Sequence, residues 1–195
     1  MSELVYEEEV SSIGQGGLHF HPLLQEKEDA SGKLKGQLIF QLTENGKIVQ
    51  EYNRQNLIVN GASILVASLL KDPSQSGIKY LSIGRGDGES WFTDPPQPTT
   101  TQVKLVREIY RKEIKQKKFV DPRTGAYTEV PTNIVDYIVT FNESEATGQI
   151  VEMGMFGGNT ATGAADSGIL VNYRTFPVIS KTPTMSLSVI FRITA

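Results

Sequence analysis

The sequence contains no cysteine. Disulfides, thiol nucleophiles and thiolate metal sites are thereby excluded, so stability must come from packing or from partner subunits. Histidine is nearly absent, with His19 and His21 alone, and tryptophan occurs once, at Trp91. A long apolar run is also missing. The richest stretch, residues 57–70, is interrupted by Asn60, Gly61, Ser63 and Ser68 and is too short to span a bilayer, so no membrane partner is expected. Charge of one sign is scarce as well: a net charge of −3 gives no general pull toward nucleic acid, and no specific nucleic-acid partner is expected. The opening residues are acidic, with Glu7, Glu8 and Glu9, where a secretory leader is basic and then apolar. The expectation is a protein made and folded in a cytoplasm.

What remains is a globular composition, 38% hydrophobic and 21% charged, in a chain of 195 residues that can bury a full core. Residues 1–35 differ from the rest, running from the acidic triplet through Gly14, Gly16 and Gly17 to Glu26, Lys27, Glu28 and Asp29. They read as an extended arm that orders against a neighbour, ahead of a β-rich assembly domain over 36–195.

From Gly36 the period becomes two, with Leu38, Phe40 and Leu42 on one face, and Asn45-Gly46 supplies a type I′ hairpin turn before a return strand over 48–52. Asn60 stands as the cap of one helix carrying Ala62, Leu65, Val66, Leu69 and Leu70 at helical spacing, and Asp72-Pro73 ends it. A strand over 78–83 leads to a loop over 84–102, long enough to be functional or held by a partner. Residues 103–118 fit helix or strand, and the turn at 121–125 favours strand. Further strands are expected over 133–141, 149–156, 169–176 and 184–194. In the last, Met185, Leu187, Val189, Phe191 and Ile193 alternate with Thr184, Ser186, Ser188 and Arg192, one face on a core and one in water. The expected fold is mostly β, an antiparallel β-sandwich or flattened barrel with one short helix and an extended N-terminal arm.

Candidate chemistry is sparse. His19 and His21 share one side of an extended segment and suit a metal on an oligomer axis, although local packing is the simpler reading. Gly84-Arg85-Gly86-Asp87-Gly88-Glu89 suggests a phosphate loop or an Arg-Gly-Asp motif, but Asp94-Pro95-Pro96 follows instead of a helix, which favours a plain glycine turn. Asp87, Glu89 and Asp94 are candidate calcium ligands without EF-hand spacing. The basic run Lys104, Arg107, Arg111, Lys112, Lys115, Lys117 and Lys118 reads as a solvated hairpin, or as a site for nucleic acid or a neighbour's acidic arm. Asp136, Glu143, Glu145 and Glu152 form the pool for paired-carboxylate catalysis, and no serine elbow is present. An enzyme is not expected, nor any cofactor.

The order of elements carries more. Asn56-Leu57-Ile58-Val59-Asn60-Gly61 precedes a helix, and Tyr80-Leu81-Ser82-Ile83-Gly84-Arg85-Gly86-Asp87 precedes a Pro/Thr loop. Ile150-Val151-Glu152-Met153-Gly154-Met155-Phe156 and Leu170-Val171-Asn172-Tyr173-Arg174-Thr175-Phe176-Pro177-Val178-Ile179-Ser180-Lys181 follow, then a strand ending Phe191-Arg192-Ile193-Thr194. Over residues 54–195 this resembles a family of phage tail-associated structural proteins of the tail, baseplate or fibre. The resemblance implies an adaptor role in a virion, with a trimer or hexamer of this chain and other virion structural proteins as partners. A neck or capsid decoration protein is the neighbouring alternative. A carbohydrate-binding β-sandwich of a fibre is another, with Trp91, Phe92 and Tyr127 stacking on host-surface glycans.

Overall fold

A computed structural model describes residues 33–195. The expected arm, with His19 and His21, lies outside the described residues except at its end, where Leu34 packs against the core and Lys35 already begins a strand.

The expected Asn-Gly hairpin is present. Asn45 and Gly46 take φ of 51° and 76°, joining β1 (Lys35–Glu44) to β2 (Lys47–Ile58), which runs on beyond the expected return strand. Helix α1 (Asn60–Lys71) follows, but Val59 rather than Asn60 occupies the cap position and no side chain caps it. The amides there are satisfied by backbone: Val59 N–H donates to Val171 O at 3.0 Å and Asn60 N–H to Thr100 O at 2.8 Å. Asp72 ends the helix as expected.

Strand β3 (Ile78–Gly84) leads into the long loop, which contains an unexpected single turn of helix, α2 (Ser90–Thr93). The ambiguous stretch is strand, as favoured, and divides into β4 (Glu108–Glu113) and β5 (Gln116–Val120). A two-residue β6 (Tyr127–Thr128), β7 (Ile134–Phe141), β8 (Gly148–Gly157), β9 (Ile169–Lys181) and β10 (Met185–Thr194) complete the chain.

Every pairing is antiparallel, in the order β4-β3-β8-β9-β2-β1-β10-β7-β5-β6. The ten strands make one open sheet that folds over on itself like a β-sandwich, within the mostly β architecture expected. Leu38, Phe40, Leu187, Val189, Phe191 and Phe141 from one half meet Leu81, Ile83, Met153, Met155, Phe176 and Ile179 from the other in a single core. Two strands bridge the halves. One is β2, which pairs with β1 along most of its length and with β9 at Leu57 and Ile58. The other is the β4–β5 segment, which leaves β3 for β7 around Ile114, whose N–H bonds Lys79 O at 2.8 Å.

Helix α1 closes one end of the core through Ala62 and Leu65. A smaller cluster, Val59, Leu105, Phe156, Leu170 and Tyr173, seats the long loop on the outer face of β8 and β9. The alternation in β10 holds with one correction. Ile190, on the face expected to be wet, is 1% exposed, because Ile39 and Ile138 flank it across the sheet.

Candidate functional site

The most elaborate polar arrangement among the described residues centres on Glu152, a carboxylate with no exposure in the middle of the apolar strand β8. Its Oε1 accepts from Gly86 N–H at 3.1 Å and Arg107 N–H at 2.9 Å, and its Oε2 from Val106 N–H at 3.0 Å and Tyr173 O–H at 2.5 Å. A buried carboxylate is tolerable when its lone pairs are filled in this way. Burial, with the Glu152 charge beside it, raises the Tyr173 pKa well above its ordinary value, so the phenol stays a donor.

The two glycines here are required by geometry. A Cβ on Gly84 would stand 2.4 Å from Glu152 Oε1, and Gly86 has φ of +64° with the Trp91 ring directly over it. The Gly84–Glu89 turn therefore spends its amide on the protein's own carboxylate, where a phosphate loop would hold a ligand. Asp87, Glu89 and Asp94 are exposed, and among the described residues no three His, Cys, Asp or Glu side chains converge as a metal site. The long loop is held by its own chain.

The basic run is solvated in part: Lys104, Arg107, Lys115 and Lys117 are exposed, whereas Arg111 and Lys112 are drawn into the fold. Arg111 lies 4.3 Å over the Phe156 ring, forms a two-pronged pair with Glu108 at 2.7 and 2.9 Å, and donates to Ser167 O at 2.7 Å. Lys112 donates to Thr140 O and Glu145, Lys104 pairs with Asp166 and Lys118 with Glu129. Lys117 Nζ donates to Ile78 O at 2.7 Å, and burial lowers its pKa. Only Glu108, three residues before Arg111, is a local partner, and sequence spacing conceals Phe156, Ser167, Thr140, Glu145, Asp166 and Ile78, which lie far along the chain.

The four pooled carboxylates are dispersed. Asp136 is bound by Arg192 at 2.7 and 2.9 Å on the outer face of β7 and β10, Glu152 sits on β8, Glu145 holds Lys112 in a turn, and Glu143 is exposed. The candidate sugar-stacking aromatics also separate. Trp91 and Phe92 lie on α2 beside Gly86 and Arg85, and Tyr127 is on β6 in the other half.

A different site was not anticipated. At the seam where β2 and β9 diverge lies a cleft of about 250 Å³ lined by Gln55, Asn56, Leu57, Gln97, Pro98 and Arg174. Arg174 of the lining donates from Nε to the hydroxyl of Tyr52 at 3.0 Å, and Tyr52 is in turn stacked 4.9 Å from Phe40 and tilted against Phe176. Asn56 is 8% exposed, yet both polar atoms of its carboxamide lack a hydrogen-bond partner among the described residues. A signal for Glu152 was available in the sequence, since a carboxylate inside Ile150-Val151-Glu152-Met153 must be satisfied if that strand is buried. None was available for Asn56.

No protein-family model matches the chain. No curated protein matches it. Among the described residues, no helix is long and apolar enough to cross a membrane.

Proposed function

We propose that this protein is a structural component of a phage tail or baseplate, an adaptor between fibres or neighbouring ring subunits. The observation that carries the reading is spatial. Four of the five segments behind the resemblance to phage tail-associated proteins are scattered in sequence, at 56–61, 80–87, 150–156 and 170–181. In the fold they are neighbours: the end of β2 with the start of α1, then β9, β8 and β3, side by side in one half of the sheet. The fifth segment, at the end of β10, lies in the other half, so the clustering of four segments of the five is what supports a shared module.

Two exposed surfaces suit an assembly role. Strand β2 has one edge without a strand partner among the described residues over 47–54, with Ile48 and Val49 exposed at 55% and 51%. Helix α1 turns Ile64, Val66 and Leu70 outward. Such surfaces are covered in a homo-oligomer or against other virion proteins. The separation of Tyr127 from Trp91 and Phe92 weighs against a three-aromatic sugar platform.

The test is fractionation of intact particles followed by antibody labelling under the electron microscope. Label on the tail or baseplate is expected. Absence from the particle overturns the reading, and label at the neck or capsid selects the decoration role instead.

A further inference from the structure

The seam cleft has an unmet hydrogen-bonding demand and an uncompensated charge. The Asn56 carboxamide has a donor and an acceptor both buried and unpaired, a condition that destabilises the fold unless something fills it. Beside it, Arg174 uses Nε on Tyr52 but takes part in no ion pair among the described residues, and neither does Arg54 two residues before Asn56. The cleft therefore suits a carboxylate presented by a backbone that also offers an N–H.

The chain contains such a group nearby. Residues 1–32 hold seven Asp or Glu against one Lys, while residues 33–195 hold fifteen against eighteen Lys or Arg, so the two parts carry net charges of −6 and +3. Glu26, Glu28 and Asp29 are the acidic residues nearest to β1, and Gly36 of β1 stands opposite Asn56 in the strand register. Seven residues separate Gly36 from Asp29, a reach of up to roughly 23 Å at about 3.3 Å per residue. A tether that short supplies an effective concentration on the order of millimolar.

We propose that the acidic stretch at residues 26–29 of the chain's own N-terminal segment docks in the cleft between β2 and β9, where a carboxylate pairs with Arg174 and accepts from the Asn56 amide. A backbone N–H of the stretch supplies the donor for Asn56 Oδ1. The root of the arm is thereby fixed on its own body, leaving residues before it to reach elsewhere. This assignment does not depend on where the protein acts.

The absence of native cysteine makes the test direct. In the full chain, Glu28→Cys with Gln97→Cys at the cleft rim is oxidised mildly and run on a non-reducing gel. An intramolecular cross-link at monomer mass is expected, and Glu28→Cys paired with Val130→Cys, on the far side of the fold beside β6, should cross-link at least about fivefold less. Adding Arg174→Glu should lower the cleft cross-link by roughly fivefold, as should 0.5 M salt. Because Arg174→Glu also touches Tyr52, the pair Glu26→Gln and Asp29→Asn, which leaves the described fold untouched, should produce the same loss. Glu26→Lys with Asp29→Lys should restore it in the Arg174→Glu background. Equal cross-linking at Val130, cross-links formed between chains instead of within them, or indifference to both sets of charge changes each overturns the proposal.

Discussion

At the scale of single residues, the fold depends on charges placed where water cannot reach them. Glu152 fastens the Gly84–Glu89 turn, residues 106 and 107 and Tyr173 to β8 through four donors. Truncation strands all four, so Glu152→Ala should cost about 3–5 kcal/mol, read as a lower urea midpoint. Glu152→Gln should also be harmful, by about 2 kcal/mol, since its amide nitrogen would face a donor where an acceptor is needed. Comparable damage from Glu152→Ala and an exposed change such as Glu143→Ala would show that the bonds contribute little. A pH effect follows from the tyrosines. Burial, with Asp136 beside it, pushes Tyr127 up to about 12 from an ordinary 10.0, and burial raises Tyr137 and Tyr173 in the same direction. A raised pKa means that the fold holds the phenolic proton more tightly than the unfolded chain. The associated stability is complete below pH 10 and drains as pH climbs from there through 12. Thermal melts between pH 9 and 11.5 should show a steep fall, made shallower by Tyr127→Phe.

At the scale of elements, α1 divides into two faces with opposite sensitivity. Leu65 is 4% exposed in the core and Leu70 is 83% exposed. Leu65→Ala should cost about 2–4 kcal/mol, whereas Leu70→Lys should change stability by less than about 0.5 kcal/mol while lowering any self-association seen by light scattering. Destabilisation by Leu70→Lys in the isolated chain would show that this face is already covered. The elements also mark how far the sequence could be read. The Asn45-Gly46 hairpin, the Asp72-Pro73 stop and the alternation of β10 were legible because each is written in adjacent residues. The cap at Val59 was not, because its amides are met by Val171 and Thr100, which propensity cannot see. For the same reason Arg111 looked like part of a solvated run. Its partners Phe156 and Ser167 arrive from β8 and the following loop, and only tertiary structure turns that run into a buried pair. Of the site, Glu152 was legible as a misfit in an apolar strand, and the Asn56–Arg174 cleft was invisible.

At the scale of the whole molecule, the decisive feature is that the two halves of the folded sheet cannot separate without breaking strand pairing. β2 serves β1 and then β9, and the β4–β5 segment serves β3 and then β7, so each seam is crossed by unbroken chain. The shared core makes the coupling energetic as well as topological, since Phe40 from one half packs on Phe176 from the other at 5.3 Å. Loss of either half would strip the other of its side of the shared core, leaving only the small Val59, Leu105, Phe156, Leu170 and Tyr173 cluster on β8 and β9. Unfolding should therefore be all-or-none. The single tryptophan gives a local probe: Trp91 sits over Gly86 on the loop side of one half, whereas far-ultraviolet circular dichroism follows strands in both. In urea the two signals should share one midpoint and one slope. If the tryptophan signal changed first, the loop would be a separately melting cover, held more weakly than the Glu152 bonds imply. In Glu152→Ala that separation is expected to emerge, the loop transition moving to lower urea while the strand signal follows later. Coincidence in the parent chain with separation in the variant would establish that one buried carboxylate joins the loop to the cooperative unit of the sheet.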